Sequence, residues 1–197
     1  MPERGNVSET LPPLRVGIVG AGFMADTHSH AYRMLADLNV EIAGVAARTL
    51  DHARALADRY GIAAAYDDYR RLLDRPDIHL IDLCVPNDLH EGLAVAAADA
   101  GKHVVCEKPL TGYFGGPGAA TPVGKTPKRV MLAEALASAD RMLEAVRRAG
   151  TRLMYAENWL YSPVIQKANR LIAASAGAIL EMRASECHSG SKAPYAM

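Results

Sequence analysis

The sequence predicts an α/β fold, a parallel sheet with helices on both faces, and two observations carry that prediction. Strand-like apolar runs alternate with helix-compatible stretches along most of the chain, the order that yields a parallel sheet covered on both sides. The first of those runs, Leu14 to Val19, enters directly into Gly20-Ala21-Gly22 and then into a stretch with no helix breaker. A strand, a glycine turn and a helix in that order form a sharp reversal whose helix N-terminus faces outward.

Each element follows from local chemistry. Leu14 to Val19 is the first strand and Asp26 to Leu38 the first helix. Val40 to Ala46 is the second strand, and Leu50 to Tyr60 a helix stopped by Gly61. Tyr66 to Leu73 reads as a short helix that ends ahead of Pro76, and Ile78 to Val85 as a strand closed by Pro86. His90 to Ala100 is an alanine-rich helix with Gly101 past its end, where a left-handed residue is favoured. Lys102 to Cys106 is a further strand, closing at Glu107-Lys108-Pro109. Thr111 to Arg129, rich in glycine and proline without periodicity, is a long loop, which in a compact domain is a lid or an unstructured segment. Val130 to Ala149 is a long amphipathic helix ended by Gly150, and Thr151 to Ala156 a strand. Ser162-Pro163 opens a helix to about Ala174, with proline at a favourable first-turn position. Ala178 to His188 alternates and reads as one more strand.

Composition narrows the class. Half of the residues are hydrophobic and lysine plus arginine equal aspartate plus glutamate, so the net charge is zero. That balance gives no broad electrostatic footprint for nucleic acid or anionic lipid. No apolar stretch approaches the roughly 20 residues of a spanning helix, and Met1 to Pro13 lacks the apolar centre of a signal peptide. Cys84, Cys106 and Cys187 have no metal-ligand spacing. Cys84 and Cys106 lie in apolar runs where a free thiol acts as a small buried hydrophobe. A reduced, cytoplasmic protein is the simplest reading.

The candidate site residues cluster behind the strands. Gly20 permits the tight turn, Gly22 lets backbone approach a pyrophosphate, and Ala25 is the small residue that lets helix and strand pack closely. This is a dinucleotide-binding pattern, with Phe23 and Met24 between Gly22 and Ala25 as further cofactor-binding candidates. The second strand ends Ala46-Ala47-Arg48 without a carboxylate. An acidic residue there would bond the ribose 2′-hydroxyl of NAD, whereas an arginine accommodates the 2′-phosphate of NADP. Arg48 is therefore either an NADP determinant or a solvated loop arginine. Pro86, Asn87 and His90 follow a strand end in the same way, Asn87 serving as a nicotinamide or ribose partner, a helix cap, or both. Lys108 stands past another strand's carboxyl end, placed either as a proton donor to a substrate oxygen, with Glu107 orienting it, or as an ordinary surface lysine. His28 and His30, two apart on a helix, point in different directions and make no metal pair, so no metal site is expected. Gly118 to Thr126 resembles a phosphate-binding P-loop, but its first glycine is one residue too far away and no strand precedes it.

Taken together, these stretches resemble the Gfo/Idh/MocA family of NAD(P)-dependent oxidoreductases. The resemblance is carried by Val16 to Ala25 with His28, by Val85-Pro86-Asn87 with His90, by Gly101-Lys102-His103-Val104-Val105-Cys106-Glu107-Lys108-Pro109-Leu110, and by Glu157-Asn158-Trp159-Leu160-Tyr161-Ser162-Pro163. It implies a Rossmann-type domain over 1–157 and, over 158–197, the beginning of an incomplete α+β domain for substrate and oligomerisation. It also implies hydride exchange between NADP or NAD and a sugar, polyol or related carbonyl or hydroxyl carbon. Lys108 would assist catalysis, Asn87, Glu107 and Asn158 would line the cofactor pocket, and the second-domain sheet would join a homo-oligomer. Two departures stand out. Thr111 to Arg129 reads as an insertion, and the sequence stops at Met197, before the aspartate and histidine that the family's second domain supplies; His188 is too early to be that histidine. A fragment or a shortened relative is expected, with a non-catalytic dinucleotide-binding module, acting as sensor or partner subunit, as the alternative to an enzyme.

Overall fold

The computed structural model describes residues 12–116, 118, 121–183 and 185. Six strands form one parallel sheet: β1 (Leu14–Val19), β2 (Val40–Ala46), β3 (Ala65–Tyr66), β4 (Leu80–Leu83), β5 (His103–Glu107) and β6 (Leu153–Ala156). They lie in the order β3-β2-β1-β4-β5-β6, and every neighbouring pair is parallel. Chain order reverses between β1 and β4, the place in open sheets of this kind where a crevice opens at the strands' carboxyl ends. The helices are α1 (Phe23–Arg33), α2 (Leu50–Tyr60), α3 (Arg70–Leu73), α4 (His90–Asp99), α5 (Lys128–Ala149) and α6 (Pro163–Ser175). The chain divides into two compact units after Ala156.

Sheet periodicity sorts the core onto two faces. Val16, Ile18, Val45 and Leu80 pack with Ala25 of α1 and with Ala53, Leu56 and Ala57 of α2. Val19, Ile81, Leu83, Val104 and Cys106 pack on the opposite face with Leu72 of α3, Ala94 and Ala97 of α4 and Met142 of α5. Because both faces are covered, β4 is buried at every position, which is why it reads as an uninterrupted apolar run broken only by Asp82. Each fully buried branched or aromatic side chain contributes about 1.5–3 kcal/mol, so this double core is the main stabilising term. Lys102 is the buried cation of the frame: its Nζ donates to the carbonyls of Arg75 at 2.7 Å and Ile78 at 2.9 Å. Those bonds tie the start of β5 to the entry of β4, while burial pulls the Lys102 pKa down.

Helix ends follow their sequence signals. Gly61 and Gly150 cap α2 and α5 in the left-handed conformation, and Thr49 accepts the His52 N–H at the start of α2. The expected boundaries shift in several places. The first helix begins at Phe23 and ends at Arg33, with a separate 3-10 turn at Ala36–Leu38. The expected helix Tyr66 to Leu73 resolves into the edge strand β3 and the single-turn α3; two residues of strand carry too little periodicity to be read. The 111–129 loop contains a 3-10 turn at Val123–Lys125 and the first residues of α5. Residues 178–183 and 185 form no strand, because alternation alone makes none without a neighbour to complete its ladder. His188 and Cys187 lie outside the described residues, as do Met1 to Leu11.

In the second unit, a 3-10 turn at Asn158–Tyr161 precedes α6, which carries Pro163 at its start. The Glu157 carboxylate accepts the Trp159 N–H at 3.3 Å.

Candidate functional site

The turn after β1 requires glycine at one position and leaves another open. Gly20 has φ +115°, and a Cβ there would lie 2.1 Å from the Cys84 carbonyl oxygen. Both the conformation and the contact with the end of β4 exclude any side chain. Gly20 N–H donates to the Ala46 carbonyl at 2.8 Å, pinning the turn to β2. Gly22 is the N-cap of α1 and makes no side-chain cap bond; a Cβ on it would meet nothing within 4 Å. The first N–H groups of α1 thus face open space with a partial positive charge. Ala25, fully buried, lets α1 approach the sheet closely. Together these features fit a pyrophosphate.

A groove of about 700 Å³ opens over this turn at the carboxyl ends of β1, β2 and β4. Gly20, Gly22, Arg48 and Pro86 line it. Arg48 forms no ion pair among the described residues. Among the groove residues not anticipated from sequence, three are polar or titratable groups close to the strand ends. His52 is carried in by the first turn of α2, Asp67 by the end of β3, and Cys84 by the end of β4. Asp67 matters because β3 pairs Tyr66 with Ala46, setting a carboxylate beside the end of β2 although that end itself supplies none. The tandem Asp67-Asp68 was the available signal, legible only once β3 is recognised as a strand.

The other candidates distribute around the groove. Phe23 and Met24 start α1, and Phe23 is exposed. Asn87 lies exposed in a 3-10 turn, Asn87–Leu89, which has no side-chain cap bond, so the capping alternative is not realised. His90 is fully buried: Nδ1 lies 3.0 Å from the Pro109 carbonyl and Nε2 3.2 Å from the Val85 carbonyl. It ties the segment after β5 to the end of β4 from inside the protein, and does not reach the groove wall. Lys108 is exposed at the end of β5 and Glu107 is buried. Glu107 meets Lys108 through the main chain, its Oε2 accepting the Lys108 N–H at 3.1 Å. Asn158 belongs to the second unit.

Beside the groove lies a charged cluster with no signal in the local sequence spacing. His28 Nδ1 is 2.8 Å from Asp82 Oδ2, and its Nε2 is 3.1 Å from Glu107 Oε1. Cys84 Sγ approaches His28 Nδ1 at 3.5 Å and Asp82 Oδ1 at 3.7 Å. The hydrogen bond to Asp82, with those to Cys84 and Glu107, raises the His28 pKa to about 12, so the ring is an imidazolium donating to both carboxylates. Burial alone would raise the Glu107 pKa, but the bond to His28 prevails and holds it below the usual range. Burial pushes the Cys84 thiol up to about 12, so Cys84 is protonated rather than a reactive thiolate. Cys84 therefore belongs to a polar cluster, whereas Cys106 is the buried apolar thiol expected. Burial, reinforced by the adjacent Asp82 carboxylate, also raises the Tyr32 pKa. His28, Asp82 and Cys84 offer nitrogen, oxygen and sulfur within 4.8 Å of one another, but both ring nitrogens are already committed to carboxylates. His30 is exposed and not part of the cluster. No helix among the described residues is long and apolar enough to cross a membrane.

The chain is similar to known proteins. Levoglucosan dehydrogenase of Pseudarthrobacter phenanthrenivorans is 40% identical over 113 residues, 49% of this chain and 26% of that protein. D-xylose 1-dehydrogenase (NADP(+)) 2 of Haloferax volcanii is 32% identical over 145 residues, 72% of this chain and 37% of that protein. A levoglucosan dehydrogenase solved in complex with NADH and L-sorbose superposes with TM-score 0.68 at 30% identity, over 84% of this chain and 40% of that one. The chain thus spans between a quarter and two fifths of the length of these relatives. Residues 14–115 match the family described as "Oxidoreductase family, NAD-binding Rossmann fold". With its strand order, its glycine turn and this match over half its length, the chain belongs to the Gfo/Idh/MocA oxidoreductases.

Proposed function

We propose that this chain holds NADP(H) or NAD(H) for an oxidoreductase that exchanges a hydride with a sugar, polyol or related carbonyl or hydroxyl carbon. The observation that carries the reading is the turn at Gly20 and Gly22, with open space above Gly22 and an uncapped α1, heading a groove at the sheet's reversal point. Gly20, Gly22 and the first N–H groups of α1, through Phe23 and Met24, hold the pyrophosphate. Pro86 and Asn87 border the nicotinamide half, with Glu107 and His90 behind them. When bound, the nicotinamide accepts or supplies the hydride. Lys108 holds the proton: in the oxidative direction its neutral amine takes the substrate hydroxyl proton, and in reduction its ammonium returns it to the carbonyl oxygen. The sugar class rests on the names of relatives, a levoglucosan and a D-xylose dehydrogenase. Homo-oligomerisation through a second domain and a cytoplasmic location, in keeping with free Cys84 and Cys106, belong to the same proposal.

NADP is the preferred cofactor. Arg48 on the groove wall pairs with a 2′-phosphate, while Asp67 is the competing carboxylate that would favour a free ribose hydroxyl.

The test separates cradle from fold. Gly22→Asp adds a side chain and a negative charge where the phosphate would sit, yet meets no atom within 4 Å. It should leave thermal stability nearly unchanged and abolish measurable NADPH and NADH binding by fluorescence titration. Undiminished binding by this variant would overturn the reading.

A further inference from the structure

Asp82 and Glu107 stand on the same face of the sheet. The register pairs Asp82 with Val105, and Glu107 lies two residues further along β5, so both carboxylates point to the side covered by α1 and α2. That face is otherwise apolar, built from Val16, Ile18, Val45 and Leu80. Asp82 is fully buried and Glu107 nearly so, and neither forms an ion pair with a lysine or arginine among the described residues. Two buried carboxylates on an apolar face need a cation between them. His28, a turn and a half into α1, supplies it.

The consequence extends beyond charge compensation. With Oε1 held by His28, Glu107 has Oε2 left, and that oxygen accepts the Lys108 amide. One uninterrupted chain of bonds therefore runs from Asp82 through His28 and Glu107 to the main chain of Lys108. It starts on β4, passes through the helix whose N-terminus forms the glycine turn, and ends at the residue assigned to proton transfer. Building on the function proposed above, we propose that His28 is a positioning residue: by bridging Asp82 and Glu107 it fixes the carboxylate that holds the Lys108 amide, and so sets Lys108 relative to the glycine turn.

Nuclear magnetic resonance on the whole chain tests this directly. In the wild type at about pH 9, where an ordinary imidazole is neutral, the His28 ring should show both nitrogens protonated. In His28→Asn and in Glu107→Gln, exchange of the Lys108 amide proton should accelerate about ten- to a hundredfold, the loss of one bond to a charged acceptor. The Ile18 amide in the centre of β1 should be unchanged in both, and His30→Asn should alter neither. A neutral His28 ring, or Lys108 exchange indifferent to Glu107→Gln, overturns the proposal. If His28→Asn fails to fold, the wild-type ring spectrum and the Glu107 variant decide alone. NADPH titration of the same samples reports separately. A wild type that binds no dinucleotide overturns the proposed function, whereas the Lys108 amide reports on His28 whether or not cofactor binds.

Discussion

The two ends of the sheet each carry a sizeable cavity, and they differ in what their charges are doing. At the amino ends of the strands a cavity of about 540 Å³ is lined by Arg15, Arg33, Glu41 and Arg75. Most of that charge is spent internally: Arg15 pairs with Glu41 and Asp77, and Arg75 pairs with Asp77 at 2.6 Å and donates to the Ala43 carbonyl at 2.7 Å. At the carboxyl ends the groove is lined by glycine backbone, apolar side chains, His52 and Asp67, with Arg48 at its wall in no ion pair among the described residues. Cavity size hardly separates the two. The difference is that one end has neutralised Arg15 and Arg75, two of its three arginines, within the fold, while the other leaves helix N–H groups, an arginine and a lysine facing outward. Unmet electrostatic demand beside open backbone marks the ligand end.

The largest expected break in that comparison is at Gly20. Gly20→Val would place a branched side chain at φ +115° against the Cys84 carbonyl. Strain and overpacking together should cost more than about 3 kcal/mol, a large part of a typical domain's 5–15 kcal/mol. Chemical denaturation should show the midpoint falling sharply, in contrast to Gly22→Asp, which removes binding alone. Equal stability in the two variants would mean the turn is not held against β4 as described.

Next comes Lys108. In any form of the protein that turns substrate over, Lys108→Ala should lower kcat about 10²–10⁴-fold, the usual contribution of a positioned general acid–base. Cofactor affinity should change little, because Lys108 does not line the groove. Steady-state kinetics alongside NADPH titration would show it, and near-normal turnover would remove Lys108 from the mechanism.

Legibility in the sequence divides along the same physical lines. The strand, glycine turn and helix from Leu14 onward were readable because a close backbone approach permits so few residue types. The runs of β2, β4 and β5 were readable because burial on both faces demands continuous apolarity. What could not be read depended on tertiary partners. Edge strand β3 has two residues, so Asp67 looked remote from the end of β2 until pairing placed it there. His90 resembled a pocket residue because spacing puts it after a strand end, yet spacing does not reveal that its ring turns inward to carbonyls. Spacing sets His28 beside His30, whereas its partners Asp82 and Glu107 lie 54 and 79 residues away. Ala178 to Arg183 alternates as a strand would, but alternation states only which residues could share a face.

Arg48 sharpens the comparison more finely. Arg48→Ala should weaken NADPH by about 1.5–3 kcal/mol, the range for a charge-assisted bond, and leave NADH nearly unaffected. Titrating both cofactors against both proteins measures the difference, and equal wild-type affinities for NADPH and NADH would end the NADP assignment.

The smallest effect belongs to the opposite end. Asp77 pairs with both Arg15 and Arg75, and the Arg75 guanidinium beside it holds its carboxyl well below the usual range. The Asp77 side chain is 42% exposed, however, so solvent screens much of that attraction, and exposed pairs typically contribute about 0–1 kcal/mol. Asp77→Asn should therefore shift the denaturation midpoint only slightly, and less at high salt than at low. NADPH affinity should be untouched, since the residue lies at the amino ends of the strands. Arg15 would stay paired with Glu41, but freeing Arg75 would give that cavity an unpaired cation, the electrostatic condition argued to mark the ligand end. If Asp77→Asn acquired dinucleotide binding there, unpaired charge alone would be sufficient. Its failure to do so would show that the open glycine turn and uncapped α1 are required as well.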